Sequence, residues 1–152
     1  MANTKKLRAV IDAVLTSYGF TKRRSAWYRY YPETIVVLDL QKSDYGGQYY
    51  VNLAVTLRAL NPEDYPPEHK CHIRMRLERI VDDAAKVSAV FNLEDSSIGA
   101  EERLQHIREM IKAGAEWLQR LSTVEAIVHE LRSNESVRNR TILPARRFLK
   151  ID

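Results

Sequence analysis

The stretch Leu40-Gln41-Lys42-Ser43-Asp44-Tyr45-Gly46-Gly47-Gln48-Tyr49-Tyr50-Val51-Asn52-Leu53 constrains the fold more than any other part of the chain. Two strand-like runs meet at an Asp-Tyr-Gly-Gly turn, where glycine supplies the positive φ that such loops need. Beyond the turn, Tyr49, Val51, Leu53, Val55 and Leu57 point one way, and Tyr50, Asn52, Ala54, Thr56 and Arg58 point the other. This period of two is that of an antiparallel strand covered on one side only. A hairpin, and hence a sheet, follows. Its polar side is where a site is to be sought, although it names no reaction.

Outward from the hairpin, Leu7, Val10, Ile11, Val14, Leu15 and Tyr18 recur at spacings of three and four and predict an N-terminal helix. Thr4 is placed to cap its start and Gly19 to end it. Phe20 to Arg24, Ala26 to Tyr31 and Ile35 to Gln41 read as strands. Residues 61–70 hold three of the five prolines and read as a loop. Cys71, Ile73, Met75 and Leu77 then alternate with His72, Arg74, Arg76 and Glu78. A helix also fits, since Ile73, Leu77 and Ile80 share a helical face; the alternation favours a strand to about Glu78. Val81 to Leu93 fits a short helix running into an extended segment. Leu104, Ile107, Met110, Ile111, Trp117, Leu118 and Leu121 form a helical stripe with Gly114 inside it. Ser122-Thr-Val-Glu125 matches a capping box for a further helix, which Ser133-Asn134-Glu135-Ser136 breaks. Pro144 suits the first turn of a last helix, Ala145 to Leu149. The expected fold is α+β: an N-terminal helix, an antiparallel sheet of about four to five strands, and C-terminal helices packed on the sheet.

A chain of 152 residues, 45% of them hydrophobic, has the size of one domain, 1–152, with a sizeable core. The lone Cys71 excludes an internal disulfide and fits a reducing compartment. Met1 to Arg8 is polar and basic, and Asp12 interrupts the apolar run after it, so neither a secretory signal nor a membrane span is expected. Cytoplasmic localisation follows as the default. The net charge of +4 is too small to imply nucleic acid alone. The charges alternate in blocks: residues 1–31 and 70–79 are basic, and residues 32–69 and 80–102 acidic.

Gly19-Phe20, Trp27-Tyr28-Arg29, Leu40-Gln41-Lys42-Ser43, Tyr49-Tyr50-Val51-Asn52-Leu53, His72-Ile73-Arg74 and Arg76-Leu77 follow one another in an order and spacing that resembles an uncharacterised bacterial domain family. That family is known only as a domain of unknown function. The resemblance covers residues 5–80 well and the helical remainder loosely. It implies a small bacterial α+β protein and transfers no catalytic residue.

Three groups of residues are candidates for function. Gln41, Asn52, His72, Arg74 and Arg76 fall on the polar sides of their strands, with Asp39, Thr56, Arg58 and Lys70 beside them. Amides and guanidinium groups aligned in this way suit a carboxylate or phosphate, whereas a solvated sheet face with cross-strand pairs is the plain alternative. Lys22 to Tyr31 interleaves basic and aromatic residues, which suits either nucleic acid or a charged edge strand with rings in the core. Trp27, Arg29 and Tyr45 are the candidates for contact with a protein partner. His69-Lys70-Cys71-His72 does not read as a metal site, because Cys71 and His72 alternate across a strand, and Cys71 falls on the apolar side where a thiol is hard to ionise. No Gly-rich phosphate loop, nucleophile elbow or His-Glu-x-x-His is present, so no catalytic residue, metal or cofactor is assigned. The leading expectation is a non-catalytic binding or protein-interaction domain, immunity-like in one form. The alternatives are a small-anion-binding or enzymatic domain on the polar sheet face, and nucleic-acid binding through residues 22–31 with Arg138, Arg140, Arg146 and Arg147.

Overall fold

The computed structural model describes residues 3–152. The first helix, α1 (Thr4–Ser17), buries Leu7, Ile11 and Leu15, the residues of its apolar stripe. Its cap is Asn3 rather than the expected Thr4: the Asn3 side chain accepts from the Lys5 amide at 2.8 Å. Five strands follow, β1 (Thr21–Arg23), β2 (Ala26–Tyr30), β3 (Thr34–Lys42), β4 (Tyr49–Leu57) and β5 (Ile73–Arg76), and form one antiparallel meander in chain order. The hairpin pairs Lys42 with Tyr49 and Asp39 with Asn52. Gly47 at its tip is required by a close approach: a Cβ there would lie 2.9 Å from Glu94 Cγ and 3.2 Å from the Glu94 amide nitrogen.

One face of the sheet builds the main core. Trp27, Val36, Leu38, Val51, Leu53, Val55, Leu57 and Ile73 point into it. Against them lie α1 and the long helix α4 (Ala100–Arg120), which buries Ile107, Met110, Ile111, Ala115, Trp117 and Leu118. Trp27 Nε1 donates to Asp12 Oδ1 at 2.9 Å and ties β2 to α1. The C-terminal helices α5 (Val124–Ser133), α6 (Glu135–Asn139) and α7 (Leu143–Leu149) complete this layer. Thr123, not Ser122, caps α5, with its hydroxyl accepting from the Ala126 amide at 3.1 Å.

The expected strand to Glu78 stops at Arg76, and α2 (Leu77–Val81) begins there. The two patterns coincide at Leu77, which faces the core either way. The segment that was ambiguous by pattern forms α3 (Ala84–Val90). Both sheet edges are blunted. Along β5, the Arg74 amide donates to the Arg140 carbonyl at 3.3 Å and the Ile142 amide to the His72 carbonyl at 3.0 Å. Along β1, the strand is short and carries exposed Lys22, Arg23 and, in the turn after it, Arg24.

Gly114 marks where α4 comes closest to the sheet layer. A Cβ would lie 3.2 Å from Leu77 Cδ1 and 3.4 Å from Leu53 Cδ2, and both leucines are fully buried. Ala at this position gains helix propensity while crowding two leucines, so Gly114→Ala is expected to stay within about 1 kcal/mol of the parent. Gly114→Val cannot be absorbed in this way and should cost about 2 kcal/mol in denaturant unfolding.

Candidate functional site

The second face of the sheet is not the uncovered face that the alternation implied. Asn52, Ala54 and Thr56 are buried on the polar side of β4. The segment from Arg58 to Cys71 folds back over the middle of this face and encloses a second apolar cluster of Ala26, Tyr28, Ile35, Val37, Ala54 and Cys71. Aromatic residues anchor the loop. The Tyr28 hydroxyl donates to the Pro66 carbonyl at 3.2 Å, and the Tyr30 hydroxyl donates to the Asp64 carbonyl. The Tyr65 ring meets Tyr28 and Tyr30 edge-on, at centroid distances of 5.4 and 5.9 Å. The Arg23 guanidinium lies 3.9 Å over the Tyr65 ring.

His72 closes the loop onto β4. Its amide donates to the Val55 carbonyl at 3.0 Å, and its Nδ1 accepts from the Leu57 amide at 2.9 Å. His72 is buried, and burial holds its pKa below the ordinary 6.5. This residue, a candidate ligand group from sequence, is turned inward as a partner for the backbone.

The open part of the face lies toward the hairpin tip and β5. Pairing places Ala26, Asp39, Asn52 and Arg76 in one row across β2 to β5, and Val37, Ala54 and Arg74 in the next. Gln41, Asn52, Arg74 and Arg76 therefore share one face, and each is already engaged. Asn52 Nδ2 donates to Gln41 Oε1 at 3.0 Å and reaches Asp39 Oδ2 at 3.5 Å. Arg74 forms a two-pronged pair with Glu68, Nε to Oε1 at 2.9 Å and Nη2 to Oε2 at 3.1 Å. The Arg76 guanidinium stacks 4.2 Å from the centre of the Tyr50 ring.

Beside this row, a cleft of about 340 Å³ opens between the β1–β2 turn and the loop, lined by Arg23, Arg24, Asp39, Tyr65, Glu68 and His69 among others. Asp39 is half-buried in it. Its carboxylate accepts from the Ser25 hydroxyl at 3.3 Å, and among the described residues it has no ion pair. Burial raises its pKa above the usual carboxylate range, with Glu68 adding to the rise and the Asn52 and Ser25 hydrogen bonds opposing it. The cleft thus holds a carboxylate poorly paid by its surroundings, with cationic and aromatic groups along its rim.

The interaction candidates divide. Trp27 is fully buried and belongs to the core. Arg29 is half-buried, donates through Nη1 to the Tyr18 carbonyl at 2.5 Å and stacks on Tyr31. Tyr45, 86% exposed, stands at the hairpin tip. Cys71 is buried and its thiol is pushed up to about 11, chiefly by burial. Among the described residues no group of three His, Cys, Asp or Glu side chains is placed to hold a metal ion, and no helix is long and apolar enough to cross a membrane. Sequence reasoning missed Arg23, Tyr65, Glu68 and His69 as neighbours in one cleft. The available signal was a tyrosine held between Pro62 and Pro66-Pro67, a stiff loop carrying a ring.

Residues 11–120 match the family model of a domain of unknown function, DUF4304. The chain belongs to the DUF4304 family. The match spans the sheet, the loop over its polar face and all of α4, so the cleft lies within the family's domain. The chain has no significant match among curated proteins or solved structures.

The His72 contact generates a pH dependence. Nδ1 accepts only while unprotonated, and the fold lowers its pKa, so the unfolded chain binds the proton at higher pH than the folded one. The contribution is complete above about pH 6.5 and is lost as pH falls from there through the folded pKa. His72→Ala leaves the buried Leu57 amide without this partner and should cost about 1–3 kcal/mol. It should also flatten the pH dependence of denaturant midpoints between about pH 7 and pH 5.

Proposed function

We propose that this chain is a non-catalytic protein-binding domain of a bacterial cytoplasm, and that its partner docks on the aromatic rim of the Asp39 cleft. The Arg23–Tyr65 stack beside the half-buried Asp39 carries this reading. Tyr65 is 41% exposed and its ring neighbour Tyr30 39%, so apolar surface is presented beside the cleft. Tyrosine and arginine are the residues that most often concentrate binding energy at protein interfaces. Here they are already fixed: Tyr65 by its two ring neighbours and three prolines in the loop, Arg23 by the ring beneath it. Little ordering entropy is then lost on association.

Charge narrows the partner. Lys22, Arg23 and Arg24 are exposed around the β1 edge and suit an acidic or carbonyl-rich surface. The Asp39 carboxylate at the cleft floor suits one hydrogen-bond donor or cation entering from the partner. An immunity-like role, with a toxin as partner, is one form of this reading, and the basic edge disfavours a basic toxin surface. Nucleic-acid binding through residues 22–31 has less support, because Trp27 and Tyr28 face the interior and leave Tyr30 as the exposed ring of β2.

The immobilised protein, exposed to an extract of its source cells, is expected to retain a stoichiometric partner. The double variant Arg23→Glu, Tyr65→Ala, with circular dichroism unchanged, should bind that partner at least ~100-fold more weakly. Absence of a stoichiometric partner, or equal retention by the variant, contradicts the reading.

A further inference from the structure

The strand end that carries Arg76 opens into a second hollow, away from the aromatic rim. It has a volume of about 710 Å³ and is lined by Arg76, Glu78, Arg79, Asp82, Ser136 and Arg140, between the β5–α2 junction and α6. It adjoins a smaller hollow of about 460 Å³, where Arg79, Arg140 and Ser136 recur with Asn139 and Glu135. Three arginines from two parts of the chain line it: Arg76 and Arg79 at the β5–α2 junction, and Arg140 after α6. None has an ion-pair partner among the described residues. Arg74, by contrast, is neutralised by Glu68.

One of the three guanidinium groups is held in place by a neighbouring ring. Arg76 is stacked 4.2 Å from the Tyr50 ring centre. The Arg140 backbone is fixed by its carbonyl, which accepts from the Arg74 amide at 3.3 Å, and by its own amide, which donates to the Val137 carbonyl at 3.1 Å. Arg79 stands exposed on α2. Glu78 and Asp82 line the same hollow and offset part of the arginines' charge, but among the described residues neither lies within ion-pair distance of the three arginines, so the guanidinium donors remain available to an entering anion.

We infer that this hollow binds the phosphate group of a small molecule through Arg76, Arg79 and Arg140, with Ser136 and Asn139 as added donors. Guanidinium forks match the geometry of phosphate oxygens, and a phosphate offers enough acceptors for more than one fork. Glu78, Asp82 and Glu135 would oppose the continuous charge of a nucleic-acid strand, and the nearby Tyr50 ring is covered by Arg76, not free to stack on a base. The site is independent of the aromatic rim proposed for the partner, so either stands without the other.

Thermal unfolding of the full chain with inorganic phosphate, pyrophosphate, ATP, sodium chloride at matched ionic strength and a single-stranded oligonucleotide tests the inference. Pyrophosphate at about 10 mM is expected to raise the midpoint by roughly 3 °C, with a saturable dependence on concentration. Arg79→Ala and Arg140→Ala, both at exposed positions, should each weaken binding at least ~10-fold, whereas Arg108→Ala on exposed α4 surface leaves it unchanged. Equal shifts with pyrophosphate and ATP identify phosphate alone as the ligand group; a larger shift with ATP identifies a nucleoside phosphate. The inference is overturned by no shift with any phosphate, by a shift that survives both arginine variants, by an equal shift with sodium chloride at the same ionic strength, which marks general charge screening, or by preference for the oligonucleotide.

Discussion

Two hydrogen bonds made by His72 decide what the second face of the sheet becomes. Its amide and its ring both bond β4, at Val55 and Leu57, and so the whole segment between β4 and β5 must close tightly beside the sheet. Once closed, the segment has one place to go. Its prolines deny it strand pairing, and Tyr28 and Tyr30 offer hydroxyls to its carbonyls. The loop settles over the middle of the polar face, buries Val37, Ala54 and Cys71 as a small second core, and leaves a cleft where it ends. The candidate site is the boundary of that loop.

This explains why the fold was more legible than the site. Residues that report local geometry read correctly: the alternation from Tyr49 to Leu57 fixed β4, and the stripe from Leu104 to Leu121 fixed α4. Helix starts were read one residue late at Asn3 and one early at Thr123, because neighbouring polar residues compete for a cap and geometry alone selects. The β5–α2 junction was misread for a different reason: a buried Leu77 satisfies both periods. Site residues depend on tertiary closure. Gln41, Asn52, Arg74 and Arg76 could be aligned by strand parity, since parity survives any loop path. Nothing in parity tells that His72 turns inward, that Glu68 neutralises Arg74, or that Tyr65 and Arg23 stack across a cleft.

The arrangement divides the polar sheet surface by chemistry. Between the β1–β2 turn and the loop lies an aromatic and cationic rim around Asp39; beyond β5 lie arginines with no ion pair among the described residues. The Arg74–Glu68 pair stands between them and holds the end of the loop to β5. Such a pair keeps the two charge environments apart: without Glu68, Arg74 would add its charge to the neighbouring cations, and without Arg74, Glu68 would raise the cost of ionising Asp39 further. Asp39 itself contributes little to stability when ionised, since burial works against its charge. A group kept in a fold at a cost is reasonably sought in function.

The account therefore rests on Asp39 being half-buried beside the loop with no ion pair among the described residues. Titration of the Asp39 carboxyl carbon by NMR measures this directly, with Asp39→Asn used to assign the resonance. The structure predicts a pKa above the ordinary carboxylate value of 3.8 in the free protein. A value at or below 3.8 would contradict it, because it would mean that the carboxylate is either solvated or paired with a cation, and that the loop does not form the cleft described.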